Sequence, residues 1–478
     1  MQRRAIGLVA ALACFASTLA CYTNAHAQTS AEVAEIRRQI DQMKRDYESR
    51  IDALEKRLAE TEAKAGAAKQ EAAQAGQQAE AAQAAASAAR QPQRSNTFNP
   101  DTSLIMQGRY ANLSQNPNTY RIGGFIPSGG EVDPGKRGLS LSESELVFSA
   151  NADPYFSGML VASLAPDGGI NAENAYLQTL GLGNGVVLKA GRFFSRVGYQ
   201  NEQHQHAWDF VDAPLAYRAF FGGQLADDGV QIRWTAPSEL LIELGAEAGR
   251  GLSFPGSDRN KNGTSLGTLY AHVGGDLGVS NTWRVGLSYV RTRAEGRSYD
   301  DLDSLGTAVT NAFTGSSRLW LADFVWKWAP NGNPRNRNFK FQAEYFRRTE
   351  DGTMTFDTAN ATATPSLADT YLTRQSGWYA QAIYQFMPQW RAGLRHDRLS
   401  SGTASLGQIN SGALTPADFP LLAAYRPTLG TAMLDWSPSE FSRVRLQFAR
   451  DRSRPGLADN QIFLQYILSL GAHGAHTW

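Results

Sequence analysis

Hydrophobic positions follow two different periods along this chain, and the change lies near residue 103. Downstream of that point, segments of roughly ten residues alternate apolar and polar side chains, as in WRVGLSY at 283–289 and FKFQAEY at 339–345. A period of two places successive side chains on opposite faces of a β-strand. The region 102–478 is therefore predicted to be all β.

Sixteen antiparallel strands are predicted, and the lengths of their connections alternate. Short turns such as 183–184, 237–238 and 387–388 are separated mostly by long segments. A transmembrane barrel shows this segregation, because short turns lie at its periplasmic rim and long loops at its external rim. The predicted strands span 103–112, 139–150, 156–165, 173–182, 185–193, 227–236, 239–248, 266–277, 282–293, 318–329, 337–348, 374–386, 389–400, 429–437, 441–451 and 461–470. The predicted long connections span 113–138, 194–226, 249–265, 294–317, 349–373 and 401–428, with shorter members at 166–172 and 452–460.

Upstream of the strands, apolar residues recur at alternating steps of three and four, which predicts an amphipathic helix with a heptad seam. An extra step of four between Tyr47 and Ile51 is a stutter, which locally unwinds a supercoil. A seam this narrow needs partner helices, so we predict a coiled coil over 28–66, with a single solvated helix as the alternative. The segment 67–101 is predicted to be an Ala/Gln-rich helix followed by a linker. The seam residues are Val33, Ile36, Ile40, Met43, Tyr47, Ile51, Leu54, Leu58, Thr61 and Ala65.

The segment 1–27 is typical of a secretory signal peptide. Arg3 and Arg4 precede an apolar core of small residues, and AHA at 25–27 forms a cleavage site. Lipoprotein processing at Cys21 is the alternative. The only other cysteine is Cys14, so cleavage after the AHA motif would leave a mature chain without thiols in an oxidising compartment.

Composition narrows the class of protein further. The net charge of +1 gives no support for nucleic-acid binding. After the leader no run of 18 apolar residues exists, which argues against membrane-spanning helices. Yet the chain has 10 Trp and 17 Tyr, and amphipathic rings are enriched at membrane interfaces. A girdle beside the short turns is predicted from Trp234, Trp283, Trp326, Trp328, Tyr384, Trp390 and Trp436.

These features together resemble the phosphate-selective porin O and P superfamily, which includes trimeric members with an N-terminal coiled coil. The resemblance rests on the heptad segment 33–65, on QGR at 107–109, on LKAGRF at 188–193 and on the terminal Trp478. It implies a homotrimeric channel in the bacterial outer membrane, surrounded by outer-membrane lipids, with its coiled coil in the periplasm. Small hydrophilic solutes or ions would be its cargo. The segment 294–317 contains no lysine, so the phosphate specificity of lysine-rich members is not implied.

The longest connection, 194–226, is predicted to fold into the lumen and constrict it, as the third external loop does in porins of this size. It contains five potential metal ligands within eleven residues, namely Glu202, His204, His206, Asp209 and Asp212. Imidazole and carboxylate groups together suit zinc, so His204 and His206 are candidate zinc ligands, and no other cofactor is predicted. The alternative is a packed loop whose histidines bond to the backbone and to charges of the wall. A second histidine pair, His473 and His476, offers a further candidate, against the alternative of a solvated tail.

The strand phases turn charges of both signs toward the lumen. Segregated signs would orient polar solutes and set an ion preference, whereas pairing among them would merely fill the wall. The basic excess near 391–395 and 443–445 favours a mild preference for anions. The predicted pore-lining charges are Arg109, Lys189, Arg233, Arg284, Lys340, Arg391, Arg395, Arg443, Arg445, Glu243 and Glu344, and the same phases turn Glu145, Asp323 and Lys327 inward.

A passive porin for small hydrophilic solutes is the function that these patterns predict. No enzyme is expected, because no placed nucleophile and base can be identified. Two other classes stay open. A metal-uptake receptor would need a larger barrel of about 22 strands with a plugged lumen. An envelope-tethering protein would use its coiled coil to reach toward peptidoglycan.

Overall fold

A computed structural model describes residues 35, 37–38, 41–45, 48–57, 59, 100–129, 132–165 and 168–471. The chain divides into two compact units, Met1–Thr97 and Phe98–Trp478. The predicted signal peptide, the Ala/Gln-rich segment and the C-terminal tail with His473, His476 and Trp478 lie outside the described residues.

The described residues between 35 and 59 are helical, as predicted. Ion pairs one turn apart stabilise this N-terminal helix, with Glu35 and Arg38 joined at 3.0 Å. The seam residues Met43, Ile51 and Leu54 are 54%, 52% and 62% exposed. The helix is thus amphipathic and its apolar seam lies open, while the coiled coil remains a prediction. Within the described part of the chain, no helix combines the length and apolar character that crossing a bilayer requires.

The second unit is a closed antiparallel β-barrel, and its wall has the 16 strands predicted from sequence. Strand β1 pairs with β18 from Ser103–Gly471 to Leu113–Gln461, which closes the wall. Two further short strands, β2 and β15, pair with β1 and β13. The strands are β1 (Asp101–Leu113), β2 (Gly138–Leu141), β3 (Ser144–Asn151), β4 (Phe156–Leu164), β5 (Ile170–Thr179), β6 (Val186–Phe194), β7 (Ala226–Thr235), β8 (Leu241–Gly249), β9 (Leu266–Leu277), β10 (Asn281–Leu302), β11 (Ala308–Trp328), β12 (Asn338–Phe356), β13 (Leu367–Met387), β14 (Trp390–Ser400), β15 (Ser405–Leu406), β16 (Thr428–Ser439), β17 (Ser442–Asp451) and β18 (Asp459–Gly471). The helices are α1 (Leu215–Phe221) and α2 (Gly407–Asn410), with 3-10 turns at Pro117–Thr119, Gln205–Ala207, Pro330–Gly332, Pro416–Asp418 and Pro420–Leu422.

Two of the predicted long loops are wrong. Most of 294–317 and of 349–373 is strand, because β10 to β13 contain 19 to 22 residues, and their connections on this side are only 303–307 and 357–366. Their outer halves stay paired since their inward side chains find an apolar core, in which Phe313, Met354 and Tyr371 pack against the segment 401–427. The alternation of apolar and polar residues is not visible in the sequence there, because Thr, Ser and Asp residues occupy the exposed face as well.

The wall is apolar outside and polar inside. Leu394, Leu446 and Leu464 point outward and are 49% to 66% exposed. Their inward neighbours include Arg395, Arg445 and Gln465, which are at most 3% exposed. This arrangement is the reverse of a soluble sandwich, in which the polar face meets bulk water, and it is the one expected of a barrel in lipid.

Outward aromatic residues form two girdles on the face made by β10 to β13. The turn-side girdle lies beside the short turns, and the loop-side girdle lies six residues farther along each strand, which is about 20 Å. Ring contacts join neighbouring strands within each girdle, with centroid distances of 5.5 Å for Trp326–Phe339 and 4.8 Å for Tyr289–Trp320. The turn-side girdle on these strands is Trp283, Trp326, Phe339 and Tyr384, and the loop-side girdle is Tyr289, Trp320, Tyr345 and Trp378.

Candidate functional site

The segment 195–225, between β6 and β7, folds back into the barrel. We call it the inner loop. Its helix α1 is buried at all seven residues. Phe220 stacks on Phe346 of β12 with ring centroids 5.6 Å apart, and the hydroxyl of Tyr217 donates a 2.7 Å hydrogen bond to Glu344. The inner loop therefore occupies one side of the lumen, packed against the wall by both apolar and polar contacts.

Buried ion pairs fix the inner loop to the wall between β12 and β17. Asp209 contacts Lys340 and lies 3.3 Å from Arg391, and Asp212 lies 3.0 Å from Arg395. Burial alone would raise the pKa of Asp209, but the charges of Lys340 and Arg391 outweigh it and hold that pKa below its ordinary value. Asp209 and Asp212 thus stay ionised and bound to cations of the wall.

Two further arginines bind the backbone of the inner loop. Arg445 donates to the carbonyl oxygen of Trp208 at 2.8 Å, and Arg443 donates to those of His206 and Trp208 at 3.4 Å. Arg391, Arg395, Arg443 and Arg445 are therefore anchors of the loop and not a free basic lining. The prediction of an anion preference loses its basis, because it treated these arginines as facing solute.

Predicted wall charges on β10 and β12 hold the beginning of the inner loop. Arg284 donates to the carbonyl oxygen of Gly198 at 2.6 Å and pairs with Asp323 at 3.1 Å. Glu344 accepts the backbone N–H of Gln200 at 3.0 Å. These contacts satisfy the polar backbone of a segment that is shielded from bulk water.

Glu243 is the centre of a second group of charges, on β7 to β9. It lies 2.7 Å from Arg196, 3.8 Å from Arg233 and 2.9 Å from Nδ1 of His272. Arg196 also contacts Glu202, one of the predicted metal ligands. Glu202 is thereby committed to an ion pair within the inner loop.

The two predicted histidines meet two carboxylates of the wall. Nδ1 of His204 lies 3.1 Å from Glu173 of β5 and 3.2 Å from Glu145 of β3. Nδ1 of His206 lies 2.8 Å from the other oxygen of Glu145. Nε2 of His204 is 2.9 Å from the side-chain amide of Asn174, and the two imidazoles stack at 5.8 Å. We call His204, His206, Glu145 and Glu173 the histidine–glutamate cluster.

One carboxylate oxygen in this cluster lacks a hydrogen bond. Glu145 is fully buried, and its Oε2 receives no hydrogen bond from the part of the chain that the structure describes, although Nδ1 of His204 is close. Burial alone would lower the pKa of His204, but its contacts with Glu145 and Glu173 outweigh burial and raise the pKa to about 10. The two carboxylates therefore stabilise a positive charge between them, and the protonated imidazole of His204 supplies that charge at neutral pH.

Sequence reasoning found the histidines of this cluster and missed their partners. Three of the five predicted ligands, Glu202, Asp209 and Asp212, form ion pairs with arginines or a lysine. They are therefore not part of the cluster around His204. Glu145 had only been predicted to face inward. Glu173 escaped notice because β5 pairs with β4 across a register shift, which blurs the alternation of its polar residues.

A cavity of about 680 Å³ lies between the inner loop and the opposite wall, which includes residues of β1, β5, β6 and β7. Arg109 is the one predicted pore-lining charge that borders it; Lys189 instead lies over the ring of Tyr176 at 4.5 Å. Four of the charged residues that line the cavity form two ion pairs, Arg192 with Asp228 and Arg218 with Asp212, so their charges neutralise each other. Its charged residues are Arg109, Lys136, Arg192, Arg218, Asp133, Glu143, Glu173, Asp212, Asp227 and Asp228, so acids exceed bases by six to four.

The motif GTSLG at 263–267 has the spacing of a hydrolase nucleophile elbow. Ser265 precedes the start of β9 and its hydroxyl accepts a 2.7 Å hydrogen bond from Arg259. A nucleophile elbow needs a strand followed by a helix. The motif therefore lacks the setting that catalysis requires.

This chain is similar to several known proteins in sequence or in structure. No family model matches the chain. An uncharacterized protein of Aquifex aeolicus strain VF5 is 29% identical over 416 residues, covering 80% of this chain and 81% of that protein. Among solved structures, the trimer form of OmpT, an outer membrane protein of Vibrio cholerae, is 10% identical with a TM-score of 0.47, covering 78% of this chain and 99% of its own. The outer membrane channel DcaP of Acinetobacter baumannii is 12% identical with a TM-score of 0.45, covering 78% and 97%.

Proposed function

We propose that this chain is an outer-membrane channel through which small hydrophilic solutes and ions diffuse passively. The carrying observation is the 680 Å³ cavity beside the inner loop, bordered by charges and enclosed by a wall whose outer face is apolar. Hydrocarbon suits that outer face between the two aromatic girdles, and a polar lumen suits water. Passive diffusion needs no further machinery than these two surfaces.

The alternatives have less support. An energy-coupled metal receptor has a larger barrel of about 22 strands, and its lumen is filled by a separate plug. Here a segment of the wall's own chain narrows a 16-stranded barrel and leaves a cavity beside it. A tethering function would not explain why the barrel contains a cavity lined by charged residues.

The excess of acids around the cavity favours a weak preference for cations. In a planar bilayer with a KCl gradient, we expect a reversal potential on the cation side. The variant Asp133→Asn/Glu143→Gln, which removes two lining charges, is expected to lower the cation-to-anion permeability ratio by about twofold. The matched control is Glu239→Gln in an exposed turn between β7 and β8, which should change nothing. Absence of any single-channel current would contradict the channel itself.

We further propose that the histidine–glutamate cluster binds a divalent cation such as zinc. Ligand atoms of Glu145, Glu173 and His204 all lie within 4.8 Å of one another. Oε2 of Glu145, which is 3.2 Å from Nδ1 of His204, receives no hydrogen bond from the described residues. His206 would orient Glu145 through its other oxygen, as partners of metal ligands commonly do. Two carboxylates and one imidazole suit zinc and leave a fourth position for water.

Calorimetric titration of the full chain in detergent with zinc chloride tests this proposal. Saturable binding is expected, and Glu145→Gln/Glu173→Gln should weaken it by at least about tenfold. His396→Gln is the control, because His396 points outward from β14. If wild type shows no saturable binding, or if the double variant binds zinc equally well, the metal site is wrong, whatever the conductance.

A homotrimer is our proposal for the assembled protein. The apolar seam of the N-terminal helix supports it, because Met43, Ile51 and Leu54 are more than half exposed on a single chain. Sedimentation of the full chain in detergent is expected to give three copies, and a monomer at all concentrations would contradict this.

A further inference from the structure

Arginines line the outer face of the barrel just beyond the loop-side girdle. Arg291 lies two residues beyond Tyr289, and it stands directly opposite Arg318, which lies two residues beyond Trp320. The same step leads from Tyr345 to Arg347. Six strands contribute exposed, outward arginines, and β10 carries a second one, Arg293, two residues beyond Arg291. We call the following set the arginine belt: Arg291, Arg318, Arg347, Arg374, Arg398 and Arg450.

The belt carries unbalanced charge, unlike the arginines of the lumen. Inward arginines such as Arg395 and Arg445 are buried and paired with carboxylates. Of the belt, Arg318 pairs with Asp351 at 2.9 Å, and the other five form no ion pair with any residue that the structure describes. Because these guanidinium groups have no carboxylate partner among the described residues, we expect an anionic partner outside the protein.

The position of the belt identifies the chemistry of that partner. A step of two residues places Arg291, Arg318 and Arg347 about 7 Å beyond the aromatic ring on the same face. Arg374 lies four residues beyond Trp378, and Arg398 stands directly opposite Trp378. Aromatic girdles lie at the level of the lipid head groups, so the belt lies within or just beyond that level. Burying an arginine in the hydrocarbon is energetically costly, but that cost falls to little or nothing near the interface.

We infer that the arginine belt binds phosphate-bearing head groups of lipids in the leaflet on the loop side of the barrel. The planar guanidinium donates two parallel hydrogen bonds to phosphate oxygens, and several arginines in a row hold several phosphates. The inference rests on the membrane location within the proposed function and is independent of conduction. Lipids bound there would fix the depth and orientation of the barrel in its membrane.

Binding of lipid A that carries two phosphates, measured in detergent micelles by native mass spectrometry of the full chain, tests the inference. The variant Arg291→Gln/Arg347→Gln/Arg374→Gln/Arg398→Gln is expected to lose affinity by roughly tenfold or more, because each basic residue near a membrane surface contributes to the attraction. The matched control is Arg335→Gln/Arg337→Gln, which removes two exposed arginines from the turn at the opposite rim and should leave affinity unchanged.

Three outcomes would overturn the inference. They are equal binding by the quadruple variant, equal binding of lipid A without phosphates, and displacement of the lipid by inorganic phosphate at the same concentration. Single-channel conductance of the quadruple variant must equal that of wild type. This readout separates a failed lipid site from a failed channel, and if the variant does not fold, Arg374→Gln/Arg398→Gln replaces it.

Discussion

Excision of residues 202–223 is expected to raise single-channel conductance severalfold and to turn the ion preference toward anions. The inner loop fills one side of the lumen, so its removal widens the path. The excised segment carries three carboxylates, one arginine and His204, which its raised pKa of about 10 keeps protonated, so the lumen gains one positive charge. Wall cations that now anchor the loop, among them Arg391 and Arg443, would then face water and solute.

The base of the loop allows this excision without strain on the barrel. Asn201 accepts the backbone N–H of Leu225 at 2.7 Å and donates to the carbonyl oxygen of Ser195 at 2.7 Å. The side chain of Gln224 donates to the carbonyl oxygen of Asn201, also at 2.7 Å. Two glycines can therefore join Asn201 to Gln224. The wall charges left behind are hydrated by the wider lumen, so the barrel should remain folded.

Conductance and reversal potential in a planar bilayer are the two measurements. Deletion of 304–306, the tip of the connection between β10 and β11 outside the lumen, is the control and should alter neither. Unchanged conductance of the 202–223 excision would show that the inner loop is not the constriction. A wider channel without a shift toward anions would contradict the assignment of the wall arginines as loop anchors.

The variant Asp435→Ala is expected to lower the free energy of unfolding by roughly 3–5 kcal/mol, because it leaves buried cations without their counter-ion. Asp435 is fully buried and lies 2.5 Å from Arg391 and 2.8 Å from Arg445. Urea unfolding of the protein in lipid vesicles measures the loss. Removing the cation as well, in Asp435→Ala/Arg445→Met, should recover part of it, because a buried pair is often replaceable by apolar side chains.

An exposed pair of the same chemistry provides the matched control. Arg318 and Asp351 lie 2.9 Å apart and are 45% and 48% exposed. Water screens such a pair, so Asp351→Asn should cost less than about 1 kcal/mol. Equal losses for Asp435→Ala and Asp351→Asn would mean that the lumen wall is as wet as the outer surface.

The barrel uses its interior charges for two different purposes. From β10 to β17 they hold the inner loop, and on the opposite side they border the cavity. The same strand pattern, with a polar residue at every second position, supplies both groups. Only the side toward which the inner loop folds distinguishes an anchor from a lining residue.

The number of strands, the closed wall and the turn-side girdle could all be predicted from the sequence. Alternation with a period of two determines which side chains share a face, and this information lies within each strand. The pattern failed where polar residues such as Thr314 and Ser316 occupy the exposed face of β11, so its outer half was taken for loop. Apolar packing from distant segments keeps that half in the sheet.

Sequence by itself determined that Glu145, Arg445 and the others on their strand faces point into a lumen, whereas the entry of His206 into the lumen was predicted from the resemblance to porins. Only the tertiary structure decided what each of them meets there. Glu145 and His206 are 61 residues apart, and Arg445 and Trp208 are 237 apart. Strand periodicity is local, whereas the fold of the inner loop across the lumen is a competition among many cations and carboxylates for buried partners. As a result, the acidic residues of the loop form ion pairs mainly with arginines, and its histidines contact Glu145 and Glu173.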